Sequence, residues 1–221
     1  MNVLVGLLTT ISLGFLLGIK HAIEPDHVIA VSTVASQSKK LWRSSLIGVF
    51  WGIGHTATLL LTGVLMILLK GNIPEEWAMS LEFLVGIMLV YFGVTTFRSI
   101  KNYNKHMAHE PNHMGKRMSL KAVFMGFIHG LAGSAAMVLL TLSTVSTLWE
   151  GMVYILIFGL GTIVGMLVFT TIIGLPFIYS AQKFRINKLF TQVTGVVSTI
   201  FGVYYMYNLG INEGLFHLWL Q

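Results

Sequence analysis

The chain has 221 residues, 55% of them hydrophobic and only 10% charged, with a mean hydropathy of +0.78. Soluble domains carry about a quarter charged residues, so this balance excludes one and points to a compact integral membrane protein. The net charge of +6 does not mark a nucleic-acid binder, because Lys and Arg sit in short loops between apolar runs rather than on one polar face.

A bilayer crossing needs roughly 20 apolar residues at ~1.5 Å each, and six segments qualify. The first runs from Val3 to Ile19 and resumes beyond a polar patch to about Ala35. The others are Ser45–Leu69, Ala78–Phe97, Ala122–Thr147, Gly151–Tyr179 and Leu189–Leu209. Helices are expected throughout, because a spanning backbone must satisfy its own hydrogen bonds, and no run shows the alternation of a barrel strand. No basic region precedes the first apolar run, which argues against a cleaved signal peptide.

Orientation follows from the basic residues. Lys39, Lys40 and Arg43 follow the first span, Arg98, Lys101, Lys105, Lys116, Arg117 and Lys121 flank the third connection, and Lys183, Arg185 and Lys188 lie in the fifth. These loops hold twelve of the 14 Lys and Arg residues. Such an excess marks the cytoplasmic side, so both termini are expected outside a cytoplasmic (inner) membrane.

The two halves echo each other at an offset near 108. Gly18-Ile19-Lys20-His21 matches Gly126-Phe127-Ile128-His129, Thr33 falls opposite Thr141, and Gly52-Ile53-Gly54 matches Gly159-Leu160-Gly161. Gly86, Phe92 and Gly93 match Gly195, Phe201 and Gly202. Three spans per half is an odd number, so the second half is inverted. The expected fold is an all-α integral membrane protein with six transmembrane helices as two inverted three-helix repeats, residues 1–100 and 119–221. A cytoplasmic His-containing loop at 101–118 joins them. In such architectures the substrate site lies at midplane between the halves, where His21 and His129 could face each other.

The chemistry concentrates in His21-Ala22-Ile23-Glu24-Pro25-Asp26-His27, where two imidazoles and two carboxylates interrupt an apolar run. Asp26 is the only aspartate in the chain. Ionisable groups at membrane depth cost several kcal/mol unless paired, which makes them functional candidates. On an unbroken helix, His21 and His27 would point about 120° apart. Pro25 removes a backbone donor and pushes Glu24 out of helical torsions, and an interrupted helix lets His21, Asp26 and His27 converge. His55, within Gly52-Ile53-Gly54-His55-Thr56, and His129, within Gly126-Phe127-Ile128-His129-Gly130, are the remaining ligand candidates. Either alone reads equally well as a packing histidine hydrogen-bonded across helices. With no cysteine in the chain, thiolate ligation and thiol-redox chemistry are excluded. Imidazoles with one or two carboxylates suit a divalent first-row transition metal. Lys20 is a candidate partner for Glu24 or Asp26 when no cation is bound. Glu82 reads as an interfacial residue near the outer end of the third span.

At these residues the sequence resembles the nickel/cobalt transporter (NiCoT) family, and most closely its short UreH-like urease-accessory branch. The family hallmark, His, four residues, then Asp-His, is met by His21 and Asp26-His27, and the Gly-His-Ser/Thr element by Gly54-His55-Thr56. The segment from Gly126 to Ser134 is similar to that branch as well. The resemblance covers essentially the whole chain. It implies a nickel or cobalt permease of the cytoplasmic membrane supplying metalloenzymes such as urease or hydrogenase, with Ni2+ or Co2+ as cargo and no prosthetic group. Larger members have eight spans and acidic residues in later motifs, whereas here Asp26 faces Ser134 and His27 faces Ala135 in the repeat.

His109-Glu110-Pro111-Asn112-His113 matches the H-E-x-x-H zinc-protease pattern, which works only on a helix. Pro111 breaks it, and no enzyme is expected. His106, His109 and His113, beside Met107 and Met114, could collect metal or pass it to a cytoplasmic metallochaperone, though a solvated loop explains them equally well. Deleting residues 104–114 is expected to slow delivery at low metal without abolishing transport.

The sequence-level mechanism is alternating access of the two halves around a central His/Asp site. An inside-negative potential contributes about 4.6 kcal/mol per 100 mV to inward movement of a double charge, so uptake needs no nucleotide. The chain contains no G-x-x-x-x-G-K-[ST] loop. The rivals are a transporter of another small substrate on the same fold, such as a sulfite-type anion exporter, and a non-transporting metalloenzyme assembly factor. An anion carrier should place basic groups at depth, and Lys20 is the only one.

Overall fold

A computed structural model describes residues 2–38, 40–69, 74–99, 119–133, 147–181 and 183–220. The histidine loop at 104–114 and the second part of the expected fourth span, 134–146, lie outside the described residues.

The described residues are helical, with no strand among them. In chain order the helices are α1 (Asn2–His21), α2 (Pro25–Ala35), α3 (Leu41–Leu69) and α4 (Glu75–Ser99). There follow α5 (Ser119–Gly133), α6 (Leu148–Ser180), α7 (Phe184–Tyr207), a π turn at Asn208–Asn212 and the short α8 (Leu215–Trp219). Four stretches are long and apolar enough to cross a membrane: Leu41–Met66, Glu75–Ser99, Leu148–Ser180 and Arg185–Asn212. The chain is therefore a multi-pass membrane protein whose described residues are helical.

Surface chemistry agrees with a lipid environment. Leu61, Leu65, Ile172, Ile200 and Val203 are exposed along the helix bodies. Exposed Trp42, Trp77, Trp149, Tyr179 and Trp219 lie at helix ends, where amphipathic rings suit a membrane–water interface.

The first apolar segment is broken where Pro25 stands. Helix α1 ends at His21, and the amides of Ile23 and Glu24 donate to the carbonyls of Lys20 and His21 in a tight turn. Glu24 is extended, with φ −61° and ψ 145°, and α2 restarts with Pro25 in its first turn. A residue before proline is driven to such torsions, and proline at a helix start forfeits no bond that would otherwise form. Helix α2 then runs toward the C-terminal end of α4, where Thr96 Oγ1 donates to the Thr33 carbonyl at 3.4 Å and accepts from Gln37 Nε2 at 3.3 Å.

Glycines set how closely the helices approach. A Cβ on Gly18 (α1) would collide with the Phe158 carbonyl of α6, and one on Gly126 (α5) with the Trp51 carbonyl of α3. The same holds for Gly161 against Phe15 and for Gly54 against Val123. Between α4 and α7, a Cβ on Gly93 would lie 2.7 Å from the Gly195 carbonyl oxygen, and one on Gly202 would lie 2.8 Å from that of Gly86. Backbone-to-backbone packing of this kind replaces the hydrophobic drive that lipid cannot supply.

Candidate metal centre

His55 is the fifteenth of the 29 residues of α3, about 21 Å from either helix end at ~1.5 Å per residue. It is fully buried, as are His27 and His129. The break after α1 turns His21 toward α3 and lets α2 begin beside it. Four imidazoles from four helices therefore meet at one depth. The His27 ring stands between two other histidines, its centroid 4.6 Å from that of His21 and 4.5 Å from that of His129. His55 lies 4.9 Å from His21 and 5.3 Å from His27.

Polar contacts give each ring a direction. His21 Nε2 and His55 Nε2 share a hydrogen bond at 3.1 Å, while His21 Nδ1 donates to Glu24 Oε2 at 2.9 Å. Asp26 accepts from two histidines, His27 Nδ1 on Oδ1 at 3.2 Å and His129 Nε2 on Oδ2 at 3.1 Å. The opposite nitrogens, His27 Nε2, His55 Nδ1 and His129 Nδ1, are buried without a hydrogen-bond partner. Burying an unpartnered polar atom costs about 1–3 kcal/mol, so each of these three rings is held in place with one nitrogen unsatisfied.

Of the six residues singled out from the sequence as metal ligands, five fall into two trios: His21, His27 and His55, and Asp26, His27 and His129. The potential ligand atoms of each trio lie within 4.8 Å of one another. Glu24 belongs to neither. It is about half exposed and bonds His21 from behind. Lys20 corrects the expectation of an ion pair: among the described residues it pairs with neither carboxylate, because Glu24 is engaged by His21 and Asp26 by His27 and His129. It lines the cavity instead.

That cavity, of about 290 Å³, is bounded on one side by Lys20, His21, Glu24, Asp26, His27 and His129, and on the other by Glu82 and Tyr205. Glu82, read from the sequence as interfacial, also lines this cavity, and Tyr205 Oη donates to its Oε2 at 3.3 Å. The sequence signal was present, a carboxylate within the apolar part of the helix beyond Glu75 and Glu76, but its partner lies 123 residues away. Two aromatic rings pack on the histidines: Phe158, which lines the cavity, at 5.4 Å from His21, and the buried Trp51 at 5.0 Å from His129.

Comparison with known proteins was made against this geometry. Residues 75–204 match the family model described as the cytochrome C biogenesis protein transmembrane region. With no cysteine in the chain, no thiol chemistry accompanies that scaffold here. The urease accessory protein UreH of Bacillus sp. (strain TB-90) is 60% identical over 226 residues, covering 98% of this chain and 99% of that protein. A Methanocaldococcus jannaschii protein provisionally named a nickel/cobalt efflux system is 25% identical over 203 residues, 86% of this chain and 88% of that one. The chloroplast protein FOR GROWTH AND FERTILITY 1 of Arabidopsis thaliana is 26% identical over 214 residues, 88% of this chain and 57% of the plant protein. No solved structure matches the chain.

Proposed function

This chain belongs to the UreH family of membrane proteins, and from that premise we propose that it is a permease for a divalent transition metal, nickel or cobalt. In this reading it takes the ion up across the cytoplasmic membrane through the His/Asp cavity. The observation that carries the reading is the gathering of four imidazoles and the sole aspartate into two adjoining trios beside the cavity. First-row metals are bound by such nitrogen and oxygen donors at ~2.0–2.1 Å.

The architecture proposed is six spans as two inverted halves that alternate access, with both termini outside. Helix contacts support it. Under the sequence offset, Gly18 against Phe158 becomes Gly126 against Trp51, and Phe15 against Gly161 becomes Val123 against Gly54. Likewise Gly93 against Gly195 becomes Gly202 against Gly86. Each of these contacts between the halves thus has a counterpart with the roles of the halves exchanged. Broken spans with the site at the repeat interface belong to this class of transporter, and α1–α2 supplies one.

Within this mechanism Glu24 is a positioning residue. Its carboxylate fixes the proton on His21 Nδ1 and turns Nε2 toward the ion, the usual task of a carboxylate behind a metal-bound imidazole. Glu24→Gln is expected to weaken metal binding about tenfold, measured by equilibrium dialysis of the purified protein, with His21→Ala epistatic to it. An unchanged affinity would make Glu24 a bystander.

Glu82 draws the cation into the cavity before any ligand is reached. Neutralising it as Glu82→Gln is expected to reduce initial uptake at limiting metal by roughly tenfold and to leave the rate at saturating metal near wild type. Tyr205→Phe, which frees the carboxylate without removing it, should have the smaller effect. Equal losses at both concentrations would place Glu82 in the transport step itself. The loop at 104–114 is proposed as an accessory collection or chaperone-docking segment.

The deciding experiment is flux of labelled nickel and cobalt in proteoliposomes under an imposed inside-negative potential. Uptake that follows the potential is expected, and His21→Ala, Asp26→Asn and His55→Ala should each lose most of it. Normal flux in all three variants would overturn the metal-site reading. Movement only outward, against the potential and with a proton gradient, would support the direction in the archaeal relative's name.

A further inference from the structure

Resting on that reading, we infer that the cargo occupies two overlapping positions in turn, and that His27 is the ligand common to both. The cavity-facing position is held by Asp26, His27 and His129. The deeper one is held by His21, His27 and His55.

Distances decide between one site and two. Neighbouring ligands on a metal with bonds of ~2.0–2.1 Å lie roughly 2.9–3.4 Å apart, and opposite ones about 4.2 Å. The pairs His21 Nε2 with His55 Nε2, Asp26 Oδ2 with His129 Nε2, and Asp26 Oδ1 with His27 Nδ1 are 3.1, 3.1 and 3.2 Å apart. Each pair already has the edge length of a coordination polyhedron. The donors nevertheless gather as two trios that share His27, not as a single set of five.

The environments of the two trios also differ. All three members of the first trio, Asp26, His27 and His129, line the cavity, as does His21, whereas His55 of the second trio is fully buried and lies off the cavity wall. An ion arriving from the cavity meets the carboxylate trio first. Its carboxylate offsets one unit of the ion's charge where water is still near. The deeper trio offers imidazoles only, with no net charge in the neutral rings.

His27 links the two. Its Nδ1 faces Asp26, and its Nε2 is buried without a partner. A neutral imidazole has one lone pair, so it serves one ion at a time. Occupying both positions together would require a bridging imidazolate. The ion therefore passes from Nδ1 to Nε2 of His27 while the ring's single proton passes from Nε2 to Nδ1, where Asp26 accepts it in a hydrogen bond, and a five-ligand grip is divided into two weaker three-ligand ones. Weak, successive sites let cargo leave as well as enter, as they do in conducting pores.

Purified full-length protein in detergent, titrated with Co2+ alone, tests this. Wild type should bind one Co2+ per chain by equilibrium dialysis. His55→Ala confines the ion to the cavity-facing position, and His129→Ala to the deeper one. Each variant should still bind one Co2+ with affinity lowered about 10–100-fold. Their visible ligand-field spectra should differ, one arising from a nitrogen–carboxylate set and the other from an all-nitrogen set. The double variant should bind none. Complete loss of Co2+ in both single variants, or one identical spectrum, would replace the two positions by a single site. Failure of wild type to bind Co2+ at all would instead remove the metal reading on which the inference rests. His55→Gln and His129→Gln, with metal-free unfolding midpoints measured alongside, separate ligand loss from misfolding.

Discussion

His27→Ala reduces potential-driven uptake of labelled nickel by at least a hundredfold, the largest loss expected from any single ligand. Both trios lose a member when this ring is removed, because His27 alone belongs to each. A hundredfold corresponds to about 2.8 kcal/mol, two tenfold steps, which is in keeping with deleting one charge-assisted contact of a buried set. His129→Ala and His55→Ala each spare one trio and should lose less. The fold is expected to survive His27→Ala, because the ring's hydrogen bond goes to the adjacent Asp26 and its Nε2 has no partner to strand. Proteoliposome flux with matched protein incorporation checks the ranking. A His27→Ala flux equal to that of His129→Ala would sink the shared role.

Gly18→Ala and Gly126→Ala should both fail to give stable protein, and by similar amounts. In each, the new Cβ would meet a backbone carbonyl, that of Phe158 or of Trp51, which cannot rotate away as a side chain could. Forcing the helices apart costs on the order of 3 kcal/mol or more, the upper end of overpacking effects. Gly133→Ala is the control. Its Cβ would stand 3.8 Å from the nearest His21 ring atom and 3.9 Å from the His55 ring, so folding should be unaffected while the space at the metal centre narrows. The readout is the monodisperse fraction after solubilisation and the unfolding midpoint in detergent. Should one of the pair behave as wild type and the other collapse, the proposed equivalence of the two halves would be wrong.

The place where the first helix breaks was legible in the sequence because it depends on local covalent chemistry. Pro25 constrains Glu24 and cannot continue the preceding hydrogen-bond ladder, and the structure has α1 ending at His21 and α2 starting at Pro25. The candidate ligands were legible for a related reason. His21, Glu24, Asp26, His27, His55 and His129 stand out as polar groups in apolar runs, and lipid makes such groups costly wherever they lie.

Partnership was not legible. Glu82 reads as interfacial until α4 and α7 pack together and bring Tyr205 within 3.3 Å of it. Lys20 seems placed to meet Glu24 or Asp26 until the histidines claim both carboxylates. Glu24 counts as a ligand by residue type, yet its position after the turn sends it behind His21. Composition and local torsion preferences fixed the membrane environment, the helical backbone and the position of the break, since each depends on residues close together along the chain. Which nitrogen of each histidine is engaged, which carboxylate supports which ring, and how the donors divide into trios were decided only by tertiary packing. His21 with Glu24 and His27 with Asp26 are local pairs. The contacts that bring the helices' donors together join residues 34 to 123 positions apart, and a shift of one helical turn, about 5.4 Å, would exchange those partners.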